Sequence, residues 1–281
     1  VAGASCPATA AVAGAAAYPI LEHDPDPRAL IEPSHHLCAP GARRPDLPRR
    51  ALACFFGDVV RELASERRLP VLGSLAAEHG EHPVYELVHR GERLCLFQPG
   101  VGAPLAAFLL EEVVDYGVRA VVACGAAGAL VEGLDLGHPV VVGRAIREEG
   151  TSYHYLPPSR TVDADAAAVA ALSGALEAAG VVPRVVTTWT TDAPYRETAA
   201  KVARRRSEGA ATVEMEAAAL LAVARFRSIS LGVLLSAGDS LAGEEWDHRG
   251  WTAAREARER CLWLAADAAL RLPLPEGSSR P

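Results

Sequence analysis

The chain has 281 residues, half of them hydrophobic, with 22% charged residues and a formal net charge of −7. That length supports one large domain with a substantial core or two small ones. The acidic balance argues against a nucleic-acid or membrane-surface partner, since a basic footprint needs clustered Lys and Arg. The basic run Lys201 with Arg204, Arg205 and Arg206 sits in an otherwise polar helical stretch and reads as a solvated helix face. Cysteines at 6, 38, 54, 95, 124 and 261 form no CxxC pair. They read as reduced thiols of a cytoplasmic protein, with neither disulfide nor zinc site. No stretch is long and apolar enough to span a bilayer.

Residues 1–17 are rich in Ala and Gly and read as a disordered lead-in. Residues 18–50 carry many Pro, Arg, His and Asp without a period, as in an extended arm or oligomer contact. Together they form a flexible N-terminal arm, 1–50, ahead of one domain over 51–275 and a tail, 276–281. Apolar runs predict strands over 51–56, 71–75, 85–89, 93–98, 119–124, 139–146, 184–189 and 229–235. Helices are expected over 104–116, 165–179, 196–206, 213–225 and 253–271. Strands alternating with helices make an α/β domain, with a largely parallel or mixed sheet between helical layers.

Chemistry-bearing residues gather where strands end. Gly100-Val101-Gly102-Ala103-Pro104 lies between a strand and a helix, where bare glycines let amides approach an anion. Leu105 replaces the third glycine of a dinucleotide fingerprint, and a tight turn would look the same. Gly125-Ala126-Ala127-Gly128 follows the next strand as a second glycine-rich turn. Two such turns suggest a crevice at the carboxyl edge of the sheet, although close helix–strand packing would use glycine too. The segment 147–154, Arg-Glu-Glu-Gly-Thr-Ser-Tyr-His, mixes acids, hydroxyls and the imidazole of His154 in a loop. In 190–196 Thr191 can bond a polar ligand and Tyr195 can stack on a flat ring, yet an ordinary turn fits as well.

In 212–219, Thr-Val-Glu-Met-Glu-Ala-Ala-Ala, Glu214 and Glu216 flank Met215 where a helical apolar stripe begins. Positions i and i+2 do not share a helix face, so one or both carboxylates project from the helix entrance. The dipole tolerates them there, and one can accept two hydroxyl hydrogen bonds. A plain acidic first turn has the same composition. Asp239 closes the last apolar strand beside Gly238, suited either to proton exchange or to helix capping.

In this order the segments resemble the nucleoside phosphorylase family, which holds purine nucleoside phosphorylases, uridine phosphorylases and related nucleosidases. The resemblance covers about residues 51–272, and 212–219 is its most specific part, close to the family's G-V-E-M-E-A-A. It implies a three-layer αβα sandwich with a mixed central sheet, assembled as dimers or hexamers with sites near subunit interfaces. It implies that Glu216 holds the ribose hydroxyls and that Met215 packs on the sugar. Glu214 then shares the pocket, Thr191 and Tyr195 line the base, and Asp239 protonates the leaving base. His154 belongs to a segment similar to one of uridine phosphorylases. Gly100 and Gly125 belong to the substrate-binding loops.

Gly57 and Arg61, in Gly57-Asp-Val-Val-Arg61, stand where the family reads G-D-P-x-R at the phosphate. The chain departs from the phosphorolytic pattern at Ala123, where phosphorylases carry Arg, and at Ala126, where they carry Ser or Thr. The uracil-reading Gln and Arg after Tyr195 are not recognisable. Arg61, Arg144 and Arg147 are the cations that could compensate at the phosphate. The expectation is N-glycosidic cleavage of a purine or modified nucleoside with phosphate as acceptor. A water-using nucleosidase of the same fold and a non-catalytic nucleoside-binding protein are the alternatives. No metal and no cofactor are implied.

Overall fold

The computed structural model describes residues 18–36, 45–78 and 80–275. Residues 1–17, 37–44, His79 and the 276–281 tail lie outside the described residues, and Cys6 and Cys38 fall among them.

The chain enters the sheet at β1 (Arg50–Cys54) and turns into helix α1 (Gly57–Glu66). A meander of β2 (Val71–Ala77), β3 (Gly80–His89) and β4 (Glu92–Phe97) follows, then α2 (Ala103–Asp115). Next come β5 (Ala120–Ala129), β6 (Pro139–Glu148), the short β7 (Thr161–Asp163) and α3 (Ala166–Ala178). The last part holds β8 (Val185–Thr191), α4 (Ala199–Ser207), β9 (Ala210–Glu214), α5 (Ala217–Phe226), β10 (Ser230–Ser240) and α6 (Arg255–Arg271).

The strands form one mixed sheet. β1 pairs in parallel with β4 and β5, β5 with β10, and β8 with β6 and β9. Antiparallel pairs join β6 to β10, β5 to β9, and the meander. Because β10 touches both β5 and β6, the strands β5, β10, β6, β8 and β9 curl round on one another, while β1, β4, β3 and β2 extend as an open wing.

Strand alternation divides the core. Ala51, Ala53, Val121 and Ala123 face one apolar cluster, shared with α2 and α5. Leu52, Cys54, Ala120, Val122 and Cys124 face the other, shared with α1, α3 and α6. This is the expected αβα layering. The α5 positions from Ala217 to Ala224 are all buried, which explains a helix apolar all round. Cys54, Cys95, Cys124 and Cys261 are free and buried, as read from the sequence.

Several boundaries differ from expectation. The helix expected from Val213 starts at Ala217, because 210–214 is a strand that pairs with β8 and β5. The expected turn at Gly125 is strand, since β5 continues along β10 through Ala127. There the glycines serve close approach: a Cβ on Gly125 would sit 3.1 Å from Phe55 Cβ, and one on Gly128 3.0 Å from Val213 Cγ1. The run read as a solvated basic face is partly internal. Lys201 and Arg205 pair with Glu148, and Arg206 donates to the carbonyls of Leu130 and Leu241. No helix among the described residues is long and apolar enough to cross a membrane.

Candidate active site

The parallel strands β1, β4 and β5 send their carboxyl ends toward one side of the sheet. A cavity of about 270 Å³ lies there, close to the ~300 Å³ lower end of small-ligand sites. Phe55 and Phe56 after β1, Val101 after β4, Ala123 to Ala126 on β5, and Val233 and Leu235 on β10 give it mostly apolar walls. Glu214, Met215 and Glu216 enter from the break between β9 and α5, and Trp251 and Arg258 from the start of the α6 region.

The two glutamates are held differently. Glu214 ends β9 and caps α5: its Oε2 accepts from the amides of Glu216 at 2.7 Å and Ala217 at 2.6 Å. Thr190 Oγ1 donates to its Oε1 at 2.6 Å while accepting from the Ala218 amide at 3.0 Å. Glu214 is therefore locked in place, with its carboxylate on the positive end of the α5 dipole. Glu216 Oε1 accepts from the Gly102 amide at 2.6 Å. That bond ties the β4–α2 loop to the α5 entrance.

Both carboxyls are 8% exposed. Burial pushes the Glu216 carboxyl above the usual carboxylate range, and the Glu214 charge adds to it. Burial also pushes Glu214 upward, against the three donors that favour its charge. At Glu216 the backbone hydrogen bonds of Gly102 and Met215 oppose the same upward push.

Asp239, near the end of β10, is not among the residues that line this cavity. Its Oδ2 accepts from Trp246 Nε1 at 2.6 Å, and its Oδ1 lies 3.4 Å from where a Gly128 Cβ would be. Trp246 and Trp251 both contact His248, forming an aromatic flap after β10. Half-buried Glu197 is pushed up to about 7, by burial first and then by the Asp239 charge, while Lys201 opposes the shift.

The other expected residues are spread out. Thr191 is buried, and its Oγ1 accepts from the Ala193 amide at 3.3 Å, outside the cavity lining. Tyr195 is 99% exposed and lies outside the cavity lining. Gly100 has φ of +79°, and a Cβ there would fall 2.1 Å from Leu105 Cδ2, so it shapes the loop that presents the Gly102 amide. Gly125 lines the cavity as expected, but from within a strand.

Gly57 opens α1, and a Cβ added there would meet Arg61 Nη1 at 3.2 Å, beside Gln98 and outside the cavity lining. Arg144 pairs with Asp163. Arg147 is enclosed by its own loop, donating to Ser152, Ser159 and the carbonyls of Leu156 and Pro157. So the arginines expected to compensate for Ala123 lie elsewhere.

His154 lines a second, larger groove of about 720 Å³. Its walls are arm residues such as Arg28, Ile31 and Glu32, together with Phe108, Tyr155 and Arg227. Asp192 on its rim contributes to the upward push on Glu216, so the two cavities are neighbours.

Sequence reading missed Thr190, Trp246, Trp251 and Arg258. Thr190 stands inside the segment 190–196, where Thr191 is singled out in its place. The others sit in a polar loop and a charged helix start, without a local pattern. Among the described residues, no group of three or more His, Cys, Asp or Glu is arranged to hold a metal.

Comparison with known proteins agrees with the family resemblance. A model of the phosphorylase superfamily matches residues 49–271. The guanosine phosphorylase of Halorubrum lacusprofundi is 31% identical over 172 residues, 61% of this chain and 71% of that protein. The uridine phosphorylase of Thermococcus kodakarensis is 29% identical over 153 residues, 51% of this chain and 55% of that protein. Among solved structures, AMP nucleosidase from Bacteroides thetaiotaomicron matches with a TM-score of 0.63 and 26% identity, over 79% of this chain and 87% of that one. Purine nucleoside phosphorylase from Toxoplasma gondii, in complex with immucillin-H, matches with a TM-score of 0.70 over 82% and 94%, and at 20% identity it supports the fold alone.

Proposed function

The chain belongs to the phosphorylase superfamily, and from that premise we propose that it is a nucleoside phosphorylase that transfers the pentosyl group of a purine or modified nucleoside to phosphate. The single observation that carries this reading is Glu216: a buried carboxyl, tied to the Gly102 amide, at a mostly apolar cavity. A sugar edge with two adjacent hydroxyls suits that acceptor. Met215 and the apolar walls suit the sugar's flat face.

Cleavage of the C1′–N bond leaves positive charge on the sugar and negative charge on the base. Asp239, with Glu197 beside it, is the acid pair at the base end. In its protonated form either carboxyl delivers a hydrogen bond or a proton to the departing base nitrogen. Trp246 holds Asp239 in the free protein, so a base that engages Asp239 either shares or displaces the indole N–H. Phosphate attacks C1′ from the opposite side of the ring, forming a C–O bond as the C–N bond breaks. The products are free base and pentose 1-phosphate.

A second reading, hydrolysis by water, is favoured by one observation: Ala123 and Ala126 line the cavity where phosphorylases carry a cation and a hydroxyl. A panel of purine, pyrimidine and modified nucleosides, assayed for free base with and without phosphate, separates the two. Release that requires phosphate is expected. Equal rates with and without it favour water as the acceptor.

A further inference from the structure

Ala123 leaves the cavity without the strand-borne cation that an anionic acceptor would meet. One cationic side chain does line the cavity among the described residues, and it comes from the far end of the sequence. Arg258, in the first turn of α6, shares the lining with Phe56, Gly125 and Ala126. Its guanidinium lies over the Phe56 ring, 4.9 Å from the centroid. Nη1 and Nη2 each donate to one oxygen of Asp58 at 2.6 Å, and Nη1 also reaches the Thr252 carbonyl at 3.1 Å. The Arg258 Nε is buried and has no hydrogen-bond partner among the described residues.

Buried donors of native proteins nearly always have an acceptor, and a charged donor without one is the more unusual. Here the orphan belongs to a group that lines the cavity. Phe56 beneath and Asp58 at the fork fix the plane of the guanidinium. The apolar walls of Phe55, Val233 and Leu235 strengthen any charge contact made inside. Asp58 stands in the first turn of α1, directly after β1, so the ion pair also joins the two ends of the domain at this cavity.

We propose that Arg258 is the cation that receives the anionic acceptor, an oxyanion of the inorganic phosphate class, through its free Nε–H, with Asp58 holding the fork. The inference rests on the phosphorolytic reading and supplies its missing charge. It explains how Ala can stand at position 123: the cation arrives from α6 instead of from β5. Arg258 thereby joins the catalytic residues, and Asp58 is its positioning residue.

The test is initial-rate kinetics on the full chain with phosphate and nucleoside varied separately. Arg258→Gln is expected to raise the KM for phosphate by about 30-fold, the scale of a lost charge-assisted bond. The KM for nucleoside is expected to move less than about 3-fold. Arg258→Lys, a point charge without the fork, is expected to recover part of the loss, and Asp58→Asn to show a smaller rise. A thermal melt of each variant reports folding. Should the Gln variant not fold, Arg258→Lys carries the test, with a rise of at least about 5-fold expected.

An unchanged phosphate KM in folded variants overturns the proposal and leaves phosphorolysis standing. An equal rise in both KM values also overturns it, since that marks a merely structural pair. A parent enzyme whose base release ignores phosphate overturns this inference together with the reading it rests on.

Discussion

Glu214 and Glu216 are two residues apart, equally buried, and yet differently occupied. Thr190, the Glu216 and Ala217 amides and, at 3.5 Å, Thr188 all donate to Glu214, which caps α5. Glu216 is tied to the Gly102 amide and lines the cavity, and the proposed function gives it the sugar hydroxyls. Glu216→Gln is therefore expected to lower base release by about 10²-fold or more while leaving the fold intact, measured as initial rate at saturating nucleoside beside a melt. The same carboxyl makes stability depend on pH. Its folded value is raised above the ordinary 4.5, so between 4.5 and that raised value the folded state binds more protons than the unfolded one. Stability then falls as pH rises through that window. The Gln variant should show a smaller drop in Tm between about pH 5 and 8, and an identical drop would contradict a raised Glu216. Thr190→Val removes a donor from buried Glu214 and an acceptor from the Ala218 amide. A loss of about 1–3 kcal/mol in urea-unfolding stability is expected. At this scale the sequence was most legible where chemistry is local. The paired glutamates stand within one short motif. Arg258 and Asp58 are far apart in the chain, and nothing near either marks the partner.

The elements that frame the cavity work by stopping or continuing at particular residues. β9 ends at Glu214 and α5 begins at Ala217, so the two residues between have neither strand nor helix geometry. That break is why Glu216 can face the β4–α2 loop instead of its own helix. Sequence periodicity ran the helix back to Val213, because Ala-rich sequence on both sides of the break offers no change of period. β9 is short and buried, so its strand character depends on β8 and β5 as neighbours. Helix α1 escaped notice for another reason: its opening Gly57-Asp-Val-Val-Arg61 reads as a ligand loop. In the structure Asp58 serves the first turn and holds Arg258. The β4–α2 loop makes the sharpest element-scale prediction. Gly100→Ala demands a positive φ of a residue with a Cβ and drives that Cβ into Leu105. The Gly102 amide then shifts from Glu216. A stability loss of about 1–3 kcal/mol is expected together with a raised nucleoside KM, and a neutral variant would contradict the close packing of this loop.

At the scale of the whole molecule, the layers and the mixed sheet were legible because buried strands and helices alternate along the chain. The curl of the sheet was not. It follows from β10 pairing on both sides, with β5 in parallel and β6 antiparallel, a choice made by tertiary packing. That curl brings the end of β1, the middle of β5 and β10, and the β9–α5 break around one cavity. The arm at 18–36 and the 150–155 loop meanwhile build a separate groove beside it, which took His154 away from the glutamates. Glu216 and Arg258 both line that cavity, so the central question for the proposed reaction is what becomes of the sugar. The direct measurement is phosphorus NMR of the reaction of a purine nucleoside with phosphate, run for the parent and for Glu216→Gln. The expected result is a pentose 1-phosphate resonance that grows in step with free base in the parent and is nearly absent in the variant. Free base accompanied by free pentose, with the phosphate resonance unchanged, would contradict it.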